Sequence, residues 1–138
     1  MKTSHRGFTL LELLVVLLIL GLLAGFVGPK YFSQIGRSEQ TVAKSQIDAF
    51  EKALDQYRVD IGRFPSNDQG LAALYAAPAG EGKWNGPYLK KAVPQDPWGS
   101  AYQYRSPGED GRDYDIVSFG RDRAAGGTGE DADIVSWR

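Results

Sequence analysis

Hydrophobic positions along the chain follow two patterns in succession. From Phe8 to Gly28 the residues are apolar on every side and charged only at Glu12. At 1.5 Å per residue these 21 positions cover about 31 Å, enough to cross a bilayer. Farther on, Ala43, Ile47, Phe50, Leu54, Tyr57 and Ile61 step by four, three, four, three and four. That spacing draws one apolar stripe along a helix, which the rest of the chain must cover. Gly62 follows the last position and suits a C-terminal cap. The two patterns predict a single helix from Phe8 to Ile61, first apolar all round and then one-faced. Pro29 falls inside it, behind Gly25 and Gly28, and is expected to kink or loosen it.

Past Gly62 the alternation shortens. Ser66 or Asn67 can cap a short helix near 68–77 that Pro78 ends. The stretch GPYLKKAVPQDPWG carries four breakers and predicts an extended, turning connection. SAYQYRS and YDIVSFG are short β-rich runs joined by the hairpin-type loop 107–111, and DIVSW is a weaker third strand. The fold class expected is α+β: one long N-terminal helix on a small three-stranded antiparallel sheet with ordered loops.

Composition narrows the function. The net charge is −1, and Lys90-Lys91 is too small a basic patch for nucleic acid. There is no Cys, hence no disulfide and no thiolate nucleophile, and His5 is the only imidazole. No constellation supports catalysis, so the chain is expected not to be an enzyme; Asp131 and Asp133 as an acid–base pair would need a formed pocket. Seven aromatics, Trp84, Tyr88, Trp98, Tyr102, Tyr104, Tyr114 and Trp137, are read as core rather than as a carbohydrate surface. A secretory signal is a rival for the apolar run, with Ala24–Gly28 imitating a cleavage site. The run is too long for one and continues as helix. Lys2, His5 and Arg6 place its N-terminal side in the cytoplasm.

Three polar groups ask for an explanation. Glu12 is a carboxylate near the edge of the span, either snorkelling to the headgroups or serving a pairing role. Glu51 and Asp55 share a helix face with Asp48 nearby, a like-charge arrangement that local Lys52 and Arg58 or an outside basic partner would relieve. Asp122, Asp131 and Asp133 bracket a Gly-rich loop with oxygen ligands of the kind hard cations take, at a spacing unlike an EF-hand.

In combination the segments resemble the type IV pilin superfamily and, more narrowly, the major pseudopilins of type II secretion. GFTLLELLVVLLILGLLAG resembles the N-terminal motif. DIGRFPSNDQGLAAL, GPYLKKAVPQDPWGSAYQY and DYDIVSFGRD…GGTGEDADIVSW resemble later blocks in order, so that nearly the whole chain is covered. The resemblance implies a basic leader (1–7), a transmembrane half-helix (8–28) and a periplasmic head (29–138). It implies cleavage after Gly7 by an inner-membrane prepilin peptidase and methylation of the new N-terminal Phe8. Glu12 would pair with the terminal amine of a neighbouring subunit and set the register of packing. Glu51 and Asp55 would bridge to basic residues of adjacent subunits, with Lys90 and Lys91 as candidates. Ca²⁺ would bind in the last loop through Asp122, Asp133 and Asp131, with carbonyls of Phe119 and Ala124. Arg121 and Arg123 depart from the small or neutral residues expected there and partly cancel the site's charge; Glu130 is an alternative to Asp131.

The implied function is a structural subunit of a periplasmic pseudopilus that drives protein export. Its implied partners are further copies of itself, minor pseudopilins, the peptidase and the inner-membrane assembly platform, with no nucleic acid. A type IVa or competence pilin is the alternative, and such major pilins usually carry a C-terminal disulfide. A tethered periplasmic binding domain that never polymerises is another.

Overall fold

The computed structural model describes every residue, Met1–Arg138. One helix, α1 (Leu10–Ile61), runs through both hydrophobic patterns. It starts two residues later than the pattern predicts because Thr9 takes the N-cap position. Pro29 lies inside α1 without ending it. At the far end Gly62 has φ +90° and donates its N–H to the Arg58 carbonyl at 2.7 Å, closing the last turn as a left-handed cap.

The chain divides into two compact units, Met1–Gly36 and Arg37–Arg138. In the first unit Tyr31, Phe32 and Ile35 stay exposed, and Ala43 in the second is the first hydrophobic side chain of the core.

Within the second unit every member of the stripe from Ala43 to Ile61 is buried, none above 6% exposed. A three-stranded antiparallel sheet covers it, with β1 (Gln103–Arg105), β2 (Asp115–Ser118) and β3 (Ile134–Val135) in the order β1-β2-β3. Tyr104 pairs with Ile116 and Ser118 with Ile134. Side chains alternate across a strand, so Tyr104 and Ile116 share the core face while Arg105 and Asp115 share the other. Phe50 meets Tyr102 edge-on at 5.1 Å, and Tyr57 meets Tyr88 at 5.7 Å. Burial holds the Tyr104 hydroxyl proton up to about 12, and the same hydroxyl donates to the Pro65 carbonyl at 2.8 Å.

Five of the seven aromatics, Trp84, Tyr88, Tyr102, Tyr104 and Tyr114, do pack in or against this core. Trp98 instead donates its indole N–H to Glu39 at 3.0 Å, and Trp137 lies under the Arg112 guanidinium at 4.2 Å.

The helix expected near 68–77 shrinks to a 3-10 turn, Leu71–Leu74. Ser66 and Gln69 form a reciprocal capping pair, Ser66 Oγ accepting from the Gln69 N–H and Gln69 Oε1 from the Ser66 N–H. Gly70 then sits at φ +60°, which no α-helix continues through. Downstream, Trp84 donates to the Ala73 carbonyl at 2.7 Å and the Tyr88 N–H to that of Leu74 at 2.8 Å, so those carbonyls are taken from any longer helix.

Candidate functional sites: processing end, acidic face and C-terminal loop

At the N-terminus, Met1–Thr9 carry no regular structure and are exposed. Gly7 has open space around it and Phe8 is 84% exposed, so the Gly7–Phe8 bond lies on an accessible strand of backbone. Helix begins at once behind it. Glu12 Oε2 accepts from the Thr9 N–H at 3.2 Å, and Thr9 Oγ1 accepts from the Glu12 N–H at 3.2 Å. This reciprocal pair is a capping box, Thr-x-x-Glu, and it satisfies two of the donors that a helix start leaves open. Thr9 therefore caps the helix, a role that hydropathy overlooks. From Leu10 to Val27 every large apolar side chain is at least 46% exposed, and α1 is long and apolar enough to cross a membrane.

On the amphipathic part of α1, Asp55 is exposed and Glu51 half-buried. Partial burial raises the Glu51 pKa first; Lys44 opposes this, and Asp48 and Asp55 add to it. The relief expected from Lys52 and Arg58 is not what the structure shows: Arg58 reaches Asp113 at 3.6 Å, and Lys44 pairs with Asp48 at 3.5 Å. Lys90 and Lys91 are exposed.

The third site is built by the sheet. The pairing of Ser118 with Ile134 brings the end of β2 and the start of β3 side by side, so Phe119 and Asp133 flank one rung. The loop between them passes through a 3-10 turn, Gly129–Asp131. Asp133 Oδ2 accepts from the Gly126 N–H at 2.9 Å, while Asp133 Oδ1 is buried with no hydrogen-bond partner. A buried carboxylate oxygen left unsatisfied is costly, and native proteins seldom leave one so. Asp122 Oδ1 accepts from the Ala124 N–H at 3.2 Å. Gly127 has φ +90°, and a Cβ built there would run into the Asp131 carbonyl and lie 3.3 Å from Asp122 Oδ2. A side chain at 127 would therefore collide with the backbone there, and the Asp131 carbonyl and Asp122 Oδ2 approach the chain closely at this glycine.

The Asp131 carboxylate points elsewhere: Oδ1 accepts from Arg121 Nε at 2.9 Å, and Glu130 Oε2 from Arg121 Nη1 at 2.5 Å. Asp131 therefore turns its backbone, not its side chain, toward Gly127. No three acidic side chains group as a metal cage anywhere in the chain. The residues nonetheless fit a hard cation on two observations, the orphaned Asp133 oxygen and the small cradle at Gly127. The loop is tied down at its edges, where Gln40 donates to the Gly129 carbonyl at 2.7 Å and Arg123 to that of Trp98 at 2.7 Å.

Comparison with known proteins agrees with this architecture along the chain. Residues 30–137 match the family described as type II secretion system (T2SS), protein G, and residues 2–28 match the prokaryotic N-terminal methylation motif. The type II secretion system core protein G of Pseudomonas aeruginosa is 45% identical over 139 residues, covering 99% of this chain and 97% of that protein. Its namesake from Vibrio cholerae is 45% identical over 137 residues, covering 97% and 92%. The crystal structure of the major pseudopilin from the type 2 secretion system of enterohaemorrhagic Escherichia coli superposes with a TM-score of 0.62 at 33% identity, covering 77% of this chain and 92% of that one. With a methylation motif at its start, one long helix and a small antiparallel sheet, the chain belongs to the protein G family of type II secretion systems and carries the pseudopilin fold.

Proposed function

We propose that this chain is a structural subunit of the periplasmic pseudopilus that drives protein export. It is inserted in the inner membrane with Lys2–Arg6 in the cytoplasm, cut after Gly7 by a prepilin peptidase, methylated on Phe8 and polymerised by the assembly platform together with minor pseudopilins. One observation carries this reading: a single helix is bare and apolar on all sides up to Val27, then buries one stripe under its own head. Burying one Leu side chain is worth roughly 1.5–3 kcal/mol, so such a row needs a cover. Lipid covers it in the precursor, and neighbouring helices cover it in a polymer.

Glu12 has a distinct role on each side of the cut. In the precursor it caps α1 through Thr9. After the cut, its carboxylate faces the new amine of a neighbour, which makes one axial stagger of packed helices favourable. Glu51 and Asp55 serve the heads in the same way, with Lys90 and Lys91 of an adjacent subunit as partners. In the loop, Asp122 and Asp133 carboxylates with carbonyls of Asp131, Phe119 and Ala124 would hold Ca²⁺. The ion would supply the missing partner of Asp133 and clamp the loop to the sheet.

The test is assembly in cells that contain the secretion machinery. Wild-type chain is expected to yield fibres. Glu12→Ala is expected to insert and be cut yet yield few or none; normal fibres from that variant would remove the pairing role.

A further inference from the structure

Two arginines flank Asp122, and the fold treats them differently. Arg123 is drawn away, its guanidinium donating to the Trp98 carbonyl at 2.7 Å. Arg121 turns into the loop and takes Asp131 at 2.9 Å and Glu130 at 2.5 Å. It thereby bridges from the residues just after β2 to the 3-10 turn before β3. The geometry points to Arg121 as a resident cation: it closes the C-terminal loop when no metal is bound, and it opposes a divalent ion that binds there. This rests on the calcium reading above and adds what sets the affinity.

The opposition has two sources. Arg121 holds the Asp131 carboxylate in an ion pair, so that Asp131 turns only its carbonyl toward Gly127. It also places a positive charge in the loop that carries Asp122 and Asp133, against any cation bound there. All three side chains are about half exposed or less, at 51% for Arg121, 39% for Asp131 and 30% for Glu130. The effect is accordingly moderate and weakens with salt. The same ion pairs hold the metal-free loop near its closed form. A chain with this arginine is thus less dependent on the metal for a folded loop, and binds the metal less tightly, than one without it.

The experiment is calcium titration calorimetry on the full chain in detergent micelles after chelator treatment, with melting followed in chelator and in Ca²⁺. Wild type, Arg121→Gln, Arg123→Gln and Asp133→Asn are compared. Arg121→Gln is expected to bind Ca²⁺ roughly threefold to tenfold tighter at low salt, the size of one partly screened ion pair. It is also expected to melt lower than wild type in chelator, so that its calcium-induced rise in Tm is the larger. Arg123→Gln is expected to keep the wild-type affinity. Equal affinity for Ca²⁺ in wild type and Arg121→Gln, with Asp133→Asn abolishing binding, would overturn the role of Arg121 and leave the calcium site standing. Absence of binding in every form, Arg121→Gln included, would overturn the calcium site and this inference with it.

Discussion

Met1–Gly36 and Arg37–Arg138 share one helix and differ in what covers it. In the first unit Leu17 is 65% exposed and Leu22 68%; in the second Leu54 and Tyr57 are wholly buried. The residue types overlap, and helix formation is common to both. The difference is periodicity: a helix that is apolar all round must be covered from outside the chain, while one with a single stripe can be covered by the chain itself. A subunit that must leave a bilayer and enter a polymer keeps its first half uncommitted and its head complete.

The largest effect that tests this contrast comes from paired truncations. Phe50→Ala removes a ring that is 2% exposed and packed on Tyr102, and should cost about 3–5 kcal/mol of head stability. Leu17→Ala should leave the head's melting temperature unchanged. Thermal denaturation of the full chain in micelles reads both, and a comparable loss from Leu17→Ala would break the comparison.

A middle-sized effect lies on the outer face of the sheet. Asp115 is buried and accepts from Arg112 Nε at 2.5 Å and from the Glu109 N–H at 2.9 Å. Arg112 holds the Asp115 carboxyl below its usual range. A depressed carboxylate contributes stability that is present above its unfolded pKa and lost as pH falls through its folded one. Asp115→Asn should therefore lower the melting temperature by roughly 5 °C at pH 7. The gap to wild type should close as the pH drops below about 4, where the unfolded-state carboxylate protonates; a gap that persists there would assign the loss to packing.

The smallest effect has the opposite sign. The Glu51 pKa is raised, chiefly by partial burial. Its contribution is favourable below its unfolded pKa and is lost as pH rises through the folded one. Glu51→Gln should melt roughly 1–2 °C higher than wild type at pH 7 and no higher near pH 4, as for a small change at a half-exposed site. On the proposed pairing of Glu51 with a lysine of a neighbouring subunit, the same variant should assemble less well. Gain in melting temperature with unchanged fibre yield would remove Glu51 from the interface.

Much of this was readable from residue spacing. The stripe Ala43–Ile61, the Gly62 cap and three short strands all follow from local periods that the tertiary structure leaves intact. The short helix after Ser66 was not, because its fate depends on Trp84 and Tyr88 capturing the Ala73 and Leu74 carbonyls, which no local pattern encodes. The Thr9–Glu12 capping box is spelled in the sequence as Thr-x-x-Glu, but in so apolar a segment Glu12 stands out as a charge and not as part of a cap. In the C-terminal loop the acidic residues were legible and their division of labour was not. Arg121 and Arg123 look alike in sequence, and only the fold sends one to Asp131 and the other to Trp98.

The proposed cut after Gly7 would make Phe8, two residues before the bare half of α1, the first residue of the mature chain. Mass spectrometry of the chain recovered from cells that contain a prepilin peptidase tests this directly. A mature protein beginning at Phe8 and carrying one added methyl group on its amine is expected. A chain that still begins at Met1 in those cells would contradict it.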